Sequence, residues 1–255
     1  MNGLFDLTGL RAAVIGGTGV LGGRFCHTLA AHGAHVVVIG RDRERGEQVA
    51  RHVGDSGGGA EFLAADATRR ADLERAAARL RTDGGLDVLV NAAGFNSATP
   101  FPEVSDDEWA RLLDVNLHAV FRACQVFAPL LAESSVGGSI VNISSASSGP
   151  PLSKVMGYGV AKAGVNNLTQ YLARELAPQG TRVNAIIPGF FPAEQNRAVL
   201  TEERVRSIIG HTPMRRLGEP ADLDGALLWL AAARASAFVT GALIPVDGGF
   251  SAMTI

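Results

Sequence analysis

The stretch RAAVIGGTGVLGGRFCHTLAAHGAHVVVIG, residues 11–40, decides the fold because it predicts a strand, a helix and a second strand in succession. Both ends are short runs rich in Val and Ile, which favour strands buried on both faces. The segment between them, from about Val20 to His32, has helical spacing and stops at Gly33, a typical C-cap residue. A unit of this kind predicts two parallel strands joined by a crossover helix.

The same alternation of short apolar runs and helical patterns continues along the chain. A capping-box spacing from Ser105 to Glu108 opens one helical pattern, and another covers residues 155–177 and stops at Pro178. The repeated alternation predicts an α/β fold: a single doubly wound Rossmann-type domain over residues 1–255, with a seven-stranded, mostly parallel sheet and helices on both faces. The further runs that predict strands are residues 60–66, 86–94, 138–145, 182–189 and 242–249.

The composition excludes several classes of protein. The 255 residues are 47% hydrophobic and 19% charged, with a net charge of −2, which excludes a disordered chain. Charges of both signs are interspersed and no apolar run reaches about 18 residues, so we expect neither a nucleic-acid nor a membrane partner. The histidines and the two cysteines, Cys26 and Cys124, lack ligand spacing, which predicts no metal site and buried cysteines. Because no charged and then apolar leader opens the sequence, we expect a cytoplasmic location.

The glycine-rich loop GGTGVLGG, residues 16–23, follows the first predicted strand and opens the first predicted helix. Glycines let the backbone approach a pyrophosphate closely, and the unpaired N–H groups of a helix N-terminus attract its negative charge. Two registers fit the dinucleotide pattern, one that begins at Gly17 and one that begins at Gly16, both continuing through Gly19 and Gly22. The loop predicts a dinucleotide site, with a merely tight strand-to-helix turn as the alternative.

The end of the second predicted strand bears on the choice of dinucleotide. A carboxylate at this position binds the ribose 2′-OH of NAD, whereas an arginine suits the 2′-phosphate of NADP. Here Gly40 stands where the acid is expected, and Arg41 follows. We therefore expect NADP(H) as the preferred cofactor and NAD(H) as the second choice. The alternative is that Arg41, Asp42 and Arg43 only begin a solvated helix.

Further residues occur in an order that resembles the short-chain dehydrogenase/reductase family. The resemblance covers nearly the whole chain. A Tyr-x-x-x-Lys pattern alone carries little weight, but the spacing of 13 residues from Ser145 to Tyr158, together with the other positions, is specific. The residues that carry the resemblance after the glycine loop are Asp66, Asn91-Ala-Ala-Gly94, Asn116, Ser145, Tyr158-x-x-x-Lys162, Pro188-Gly189 and Val246-Asp-Gly-Gly249.

The resemblance implies a reversible hydride transfer between NADP(H) and a carbonyl compound or secondary alcohol, catalysed by a homotetramer. Tyr158 exchanges a proton with the substrate oxygen, Ser145 hydrogen-bonds that oxygen, and Lys162 holds the nicotinamide ribose. Asn116 is implied to hold a water that links Lys162 to solvent, with a helix-bending polar residue as the alternative. The residues implied to contact the cofactor are Gly16, Thr18, Gly19, Val20, Leu21, Arg41, Asp66, Ala67, Asn91, Ala92, Gly94, Tyr158, Lys162, Pro188 and Gly189.

Lysine is conspicuous in this chain, because only Lys154 and Lys162 are lysine among 23 lysine and arginine residues. Tyr158 and Lys162 stand one helical turn apart and so share a face. A free tyrosine has a pKa of about 10, and a neighbouring ammonium favours the phenolate and lowers that pKa. A lysine is a compact charge with three donors, so it suits this position better than the broad planar fork of an arginine.

Two positions depart from the family pattern. Val20 stands where compact members carry the second glycine of the loop, so the phosphate loop is expected to differ in detail. Ala193 lies five residues after Pro188, where a threonine that contacts the nicotinamide carboxamide is common. The group that makes this contact is left open between backbone and water.

A substrate lid is predicted at about residues 190–213, with a polar tip at residues 194–197. That tip is unusual for an enzyme of flat apolar substrates, and both ends of the chain resemble oxidoreductases of the gluconate 5-dehydrogenase and mannonate oxidoreductase kind. We therefore expect a sugar acid or polyol-like substrate, and pair a substrate carboxylate with Lys154 and Arg197. A solvated loop lysine is the alternative for Lys154. Two other functions stay open: reduction of a 3-oxoacyl thioester or polyketide, and non-catalytic NADP(H) sensing.

Overall fold

The computed structural model describes residues 3–55, 58–192 and 201–253, in which seven strands form one sheet. The strands are β1 (Arg11–Ile15), β2 (His35–Gly40), β3 (Ala60–Ala64), β4 (Val88–Asn91), β5 (Ser139–Ile143), β6 (Arg182–Pro188) and β7 (Leu243–Val246). Their order in the sheet is β3-β2-β1-β4-β5-β6-β7, and every pairing is parallel. The predicted α/β doubly wound sheet is confirmed, and it is parallel throughout rather than mostly so.

The order in which the chain builds the sheet reverses between β1 and β4, which are neighbours in space but not in sequence. Val14 of β1 lies beside Val38 of β2 on one side and Val90 of β4 on the other. In open parallel sheets, ligands bind outside the carboxyl ends of the strands at such a reversal. The loops after β1 and β4 are therefore the expected place for a dinucleotide.

Capping residues set the beginnings of several helices. The Ser105 hydroxyl accepts from the N–H of Glu108 at 3.2 Å, as the capping spacing predicts, and Asp42 accepts from the N–H of Arg45 at 3.1 Å. A π-helical turn, Asp114–His118, joins the fourth and fifth helices. The α-helices of the described residues are α1 (Val20–Ala31), α2 (Arg43–Gly54), α3 (Arg70–Thr82), α4 (Asp106–Leu113), α5 (Ala119–Ala132), α6 (Met156–Leu176), α7 (Glu202–His211), α8 (Asp224–Ala231) and α9 (Ala233–Ser236).

Helices cover both faces of the sheet because alternate strand residues point to opposite sides. Val14 of β1 packs with Phe25 of α1, in a core that also takes in α2 and α8. The next residue, Ile15, faces the other way, into a core that contains Phe127 of α5 and residues of α3 and α6. The sheet therefore lies buried between two helical layers, and its accessible edge for ligands is the row of loops after the strands.

A continuous helix of 27 residues, Asp106–Ala132, is formed by α4, the π-helical turn and α5. It is the one helix of the described residues that is long and apolar enough to cross a membrane, although the sequence has no unbroken apolar run of that length. Its apolar side chains nevertheless pack on the sheet, with Cys124 and Phe127 fully buried. Cys124 and Cys26 are both buried, as predicted, and burial raises the pKa of the Cys124 thiol to about 12.

Candidate active site

Close backbone contacts shape the glycine loop between β1 and α1. Gly16 has a φ of +80°, and a Cβ atom placed on it would lie 2.6 Å from the amide nitrogen of Ala93. A Cβ atom on Gly22 would collide with the carbonyl oxygen of Gly16. Gly19 is the N-cap of α1, and no side chain caps the first turn of this helix. The loop therefore leaves a helix N-terminus open to an anion, which fits a pyrophosphate.

A groove runs along the carboxyl ends of the strands and consists of two cavities that share Gly19 and residues 92–94. The nucleotide cavity lies at the Arg41 end, and the catalytic cavity lies at the Tyr158 end. Predicted cofactor residues that line the nucleotide cavity are Gly16, Thr18, Gly19, Arg41, Asp66, Ala67, Ala92 and Gly94. Those that line the catalytic cavity are Gly19, Val20, Leu21, Ala92, Gly94, Tyr158, Lys162, Pro188 and Gly189. Two adjoining cavities with these walls suit the two halves of an extended dinucleotide.

The end of β2 leaves no room for a side chain at position 40. A Cβ atom on Gly40 would lie 2.8 Å from the Cγ2 atom of Thr18. The next acid along the chain, Asp42, is occupied as the N-cap of α2. Arg41 precedes that helix, is exposed and lines the nucleotide cavity. Asp42 and Arg43 begin the exposed first turn of α2, as the alternative interpretation has it, and the contact of Arg41 with a 2′-phosphate stays a prediction.

Asn91 is the predicted cofactor residue that does not line the groove. Its buried Nδ2 atom donates to the Oδ1 atom of Asn142 at 2.8 Å and to the Sγ atom of Cys124 at 3.4 Å. The side chain thus ties β4 to β5 and α5 beneath the groove. Residues 92–94 line both cavities and Asn91 lines neither, so its predicted contact with the cofactor stays a prediction.

Ser145, Tyr158 and Lys162 meet in the catalytic cavity. Ser145 follows β5, and its hydroxyl accepts from the N–H of Ser147 at 3.2 Å, which begins a short 3₁₀ turn. Tyr158 and Lys162 lie one turn apart on α6, and the Lys162 Nζ atom is 5.5 Å from the centroid of the Tyr158 ring. The same Nζ atom donates to the carbonyl oxygen of Ile143 at 2.8 Å. The fold therefore brings together the three side chains that the sequence spacing singled out.

Burial governs the protonation of this pair. It raises the pKa of Tyr158 to about 12, and a hydrogen bond with Ser145 offsets only part of the rise. It also lowers the pKa of Lys162 to about 8. The pKa of Tyr158 therefore lies above its ordinary value and not below it, because removal of the phenolate from water is the largest cause of the shift. The contribution of the Lys162 ammonium, 5.5 Å from the ring centroid, stays a prediction. Tyr158 is thus held as a neutral phenol, the form that can donate a proton.

Asn116 lies fully buried in the π-helical turn between α4 and α5. Its Nδ2 atom donates to the carbonyl oxygens of Leu112 and Phe95, both at 2.9 Å, and its Oδ1 atom accepts from the N–H of Phe95 at 3.2 Å. A Cβ atom on Gly94 would lie 2.8 Å from this oxygen. The side chain therefore fastens the segment after β4 to the long helix. π-turns of this kind occur frequently at functional sites, and the role of Asn116 in holding a water stays a prediction.

The predicted substrate residues are not brought to the catalytic cavity by the described structure. Lys154 lies in the loop before α6, is exposed, and is not part of the cavity wall. Arg197 and Ala193 fall in residues 193–200, which lie outside the described residues together with the tip of the predicted lid. The described parts of the lid are residues 190–192 and 201–213, and Phe190 lines the catalytic cavity. Val20, the departure in the glycine loop, also lines this cavity from the first turn of α1.

Two arginines in the groove were not predicted. Arg111 of α4 lines the nucleotide cavity, and its guanidinium lies 4.8 Å from the centroid of the Phe95 ring. Arg204 of α7 lines the catalytic cavity. Neither residue belongs to a recognisable motif, and an arginine on the solvated side of a helix has the same sequence pattern. Only the fold brings them to the groove.

No metal centre is indicated in residues 3–55, 58–192 and 201–253. These residues contain no group of three or more His, Cys, Asp or Glu side chains that could hold a metal ion. The absence of a metal site stays a prediction from the sequence.

Known proteins are similar to this chain over nearly its whole length. The sequence profile of a family described as "Enoyl-(Acyl carrier protein) reductase" matches residues 19–251. The chain is 39% identical to "Uncharacterized oxidoreductase UxuB" from Bacillus subtilis, over 97% of this chain and 96% of that protein. It is 38% identical to galactitol 2-dehydrogenase from Rhizobium johnstonii, over 97% of each. A crystal structure of a gluconate 5-dehydrogenase from Burkholderia cenocepacia, in complex with NADP and tartrate, matches with a TM-score of 0.93 at 32% identity and covers 98% of each chain.

These similarities are not confined to the first half of the fold, which many dinucleotide-binding proteins share. They extend across residues 138–189, where Ser145, Tyr158 and Lys162 are located. Profile, relatives and structure agree over this length, and the same family was indicated by the order of residues in the sequence. The chain therefore belongs to the short-chain dehydrogenase/reductase family of oxidoreductases.

Proposed function

We propose that this protein interconverts a secondary alcohol and a ketone on a sugar acid or polyol-like substrate, with NADP(H) as its preferred cofactor. The observation that carries the proposal is the meeting of Ser145, Tyr158 and Lys162 at one end of a continuous groove. When bound, the nicotinamide supplies or accepts the hydride. The protein must then transfer a proton to or from the substrate oxygen and stabilise the charge that develops on it.

Tyr158 is the proton donor in the direction of carbonyl reduction. With its pKa raised to about 12, the phenol stays protonated at neutral pH. Ser145 lines the same cavity and is available to hydrogen-bond the substrate oxygen as negative charge develops there. The Tyr158 hydroxyl therefore transfers the proton, and the Ser145 hydroxyl stabilises the charge on the substrate oxygen.

Lys162 serves the opposite direction, in which Tyr158 must accept the proton of the alcohol. Its ammonium donates to the Ile143 carbonyl at 2.8 Å and retains further N–H donors for ribose hydroxyls. A positive charge 5.5 Å from the ring favours the phenolate that proton acceptance requires. We assign Asn116 the holding of a water beside Lys162, which gives the proton a route to solvent.

The preference for NADP(H) follows from the end of β2. Glycine at position 40 carries no carboxylate for the 2′-OH of NAD, and a Cβ atom there would lie 2.8 Å from the Cγ2 atom of Thr18. Arg41 lines the nucleotide cavity and supplies a guanidinium for a 2′-phosphate, with Arg111 as a second cation in the same cavity. The gluconate 5-dehydrogenase of similar structure is complexed with NADP, which supports this choice. NAD(H) is the alternative cofactor.

The substrate class is supported by the relatives and by the walls of the catalytic cavity. The names of the similar proteins specify galactitol and gluconate, both chains of carbons that carry hydroxyl groups. Asn96 and Ser147 line the catalytic cavity beside Ser145 and offer hydrogen bonds to such hydroxyl groups. Lys154 and Arg197 remain our sequence-based proposals for a substrate carboxylate.

A substrate screen tests the proposal. The purified protein is assayed for the appearance of reduced cofactor with D-gluconate, D-mannonate, galactitol and 2-propanol, each with NADP⁺ and with NAD⁺. We expect turnover of at least one sugar acid or polyol, a higher kcat/KM with NADP⁺, and loss of turnover in Tyr158→Phe. A second assay follows the consumption of NADPH with a 3-oxoacyl thioester, and turnover restricted to that compound would favour the 3-oxoacyl or polyketide alternative. Cofactor binding without turnover of any compound would favour a sensing protein.

We also propose a cytoplasmic homotetramer, as the family resemblance implies. Exposed apolar side chains on the two long helices support association: Phe121 of α5, and Met156, Val160 and Tyr171 of α6. On α6, Val160 follows Met156 by four residues and Tyr171 follows Val160 by eleven, so the three side chains share one face of the helix. Light scattering coupled to size-exclusion chromatography measures the mass, and a monomer at micromolar concentration would contradict the proposal.

A further inference from the structure

Arg204 stands in the wall of the catalytic cavity without a role in the mechanism described above. It lies in the first turns of α7 and lines this cavity together with Ser145 and Tyr158. It also lines a neighbouring lateral cavity, together with Ser153 and His211. The side chain therefore separates the place of the reacting carbon from the space beside it, where the rest of a substrate molecule would extend.

The guanidinium of Arg204 is held in place by one neutral residue. Its Nη1 atom donates to the Oγ atom of Ser153 at 2.9 Å, and its Nη2 atom donates to the Ser153 carbonyl oxygen at 2.7 Å. The backbone of Lys154, the next residue, has a φ of +63°, a turn that is uncommon for a residue with a side chain. The two hydrogen bonds to Ser153, next to this turn, hold the guanidinium in the wall of the cavity.

The positive charge of Arg204 has no carboxylate partner among the described residues. By contrast, Arg206 on the same helix lies 3.9 Å from the carboxylate of Glu202. The Nε atom of Arg204 is buried and makes no hydrogen bond. Burial also lowers the pKa of this guanidinium, as is expected for a charge that is partly removed from water and not compensated.

The catalytic cavity as a whole favours an anion. Lys162 and Arg204 are the charged residues of its described wall, and no Asp or Glu is part of that wall. Lys162 is 3% exposed and donates to the Ile143 carbonyl. Arg204 is partly exposed and faces the cavity from the lid side, so it is the cation that a substrate carboxylate can reach.

We propose that Arg204 binds the carboxylate of the substrate and makes the enzyme selective for sugar acids over neutral polyols. The inference rests on the proposed function and narrows its substrate class. Two of the five N–H donors of the guanidinium bond to Ser153, and each Nη atom keeps one more for a carboxylate oxygen. Charge-assisted pairs of this kind are roughly twice as strong as neutral hydrogen bonds and confer geometric specificity.

Binding to a complex that cannot react tests the inference apart from catalysis. The protein saturated with NADPH is titrated with D-gluconate and, separately, with D-glucitol, its neutral counterpart, in a calorimeter. The protein should bind D-gluconate more tightly than D-glucitol. Arg204→Gln should weaken D-gluconate binding about 10- to 100-fold, the range for a hydrogen bond to a charged group, and leave D-glucitol binding unchanged. Arg204→Lys should bind D-gluconate more tightly than Arg204→Gln and less tightly than the original protein, because lysine keeps the positive charge but lacks the planar guanidinium.

Arg206→Gln is the matched control, since Arg206 is exposed on the same helix and pairs with Glu202. It should bind both compounds as the original protein does. Equal losses for D-gluconate and D-glucitol in Arg204→Gln would show a structural role and overturn the inference, as would D-gluconate binding that is indifferent to Arg204. If polyols are oxidised while D-gluconate binds no better than D-glucitol, the proposed function stands and the inference falls. If D-gluconate binding depends on Arg204 but no alcohol is oxidised, the inference stands and the proposed function falls.

Discussion

Replacing Lys162 by Met should stabilise the protein while it abolishes activity. The Lys162 side chain is 3% exposed, and burial lowers its pKa from the ordinary 10.5 to about 8. At neutral pH the folded protein therefore holds an ammonium in surroundings that disfavour the charge. A methionine of similar length removes the charge and keeps most of the packing. Lys162 therefore lowers the free energy of unfolding, although the proposed reaction requires it.

The magnitude follows from the difference between the two pKa values. Each pKa unit corresponds to about 1.4 kcal/mol, so the interval from 10.5 to about 8 destabilises the folded state by about 3 kcal/mol. Losing the hydrogen bond from Lys162 to Ile143 costs about 1 kcal/mol in the variant. The net gain is about 2 kcal/mol, which raises the Tm of a protein of this size by about 4–8 °C.

The dependence on pH has a defined sign. Below pH 8 Lys162 is charged in both states, and the destabilisation is fully present. As the pH rises from about 8 towards 10.5, the folded state loses this proton before the unfolded state does, and the destabilisation disappears. The advantage of Lys162→Met should therefore shrink by about 1 kcal/mol between pH 7 and pH 9. Above pH 10 the raised pKa of Tyr158 acts in the opposite sense, because the unfolded tyrosine ionises first.

Thermal unfolding at pH 7, 8 and 9, followed by circular dichroism, measures this dependence. Lys154→Met is the matched control, since Lys154 is the other lysine of the chain and is exposed. Its Tm should shift by less than about 2 °C, with no trend in pH, as for surface substitutions in general. A variant at Lys162 that is less stable than the original protein at pH 7, or a gain that does not change with pH, would refute the reasoning.

Three further outcomes are expected. Tyr158→Phe should lower kcat by about 100-fold or more, the usual contribution of a general acid, while NADPH binding measured by fluorescence stays within twofold. Arg41→Ala should weaken NADPH binding about 10- to 100-fold and leave NADH binding unchanged in the same titration. Arg43→Ala, on α2, is the control and should change the binding of neither cofactor. Equal losses of NADPH and NADH binding in Arg41→Ala would contradict the 2′-phosphate contact. Gly22→Ala places a Cβ atom against the carbonyl oxygen of Gly16 and should destabilise the protein by about 1–3 kcal/mol in denaturant unfolding; an unchanged midpoint would contradict the steric argument.

Much of the fold could be predicted from the sequence because parallel strands are buried on both faces. The runs at residues 11–17 and 34–40 contain β1 and β2, with Val14 beside Val38. Each of the other five runs contains one strand of the sheet. The predicted ends extended into the following loops, because glycine and small residues there continue the apolar pattern after the ladder of hydrogen bonds stops.

The candidate site was predicted in part, and the part that succeeded depends on spacing along one helix or one loop. Tyr158 and Lys162 share a turn of α6, and Gly16 to Gly22 form one loop, so their proximity is local. The direction of the net pKa shift of Tyr158 was not predicted, since the sequence shows the neighbouring charge of Lys162 but not that removal of the phenolate from water is the larger cause. Asn91 was assigned to the cofactor by the family resemblance, and the sequence gives no sign that its side chain bonds to Asn142 beneath the groove.

Other features have no local signal. Arg204 and Ser153 are 51 residues apart and meet only because α7 folds over the loop before α6. The π-helical turn that holds Asn116 interrupts a helical pattern without glycine or proline. Such contacts depend on tertiary packing, which periodicity along the chain does not encode.

The contact between Gly40 and Thr18 has a consequence for engineering this enzyme towards NAD. A single exchange of Gly40 for aspartate brings the new Cβ atom to 2.8 Å from the Cγ2 atom of Thr18, so the threonine side chain must shift to admit it. Replacing Thr18 by a smaller residue removes that contact, so the cost of a substitution at Gly40 should depend on the residue at position 18. The two positions are therefore best varied together when a carboxylate is placed at the end of β2.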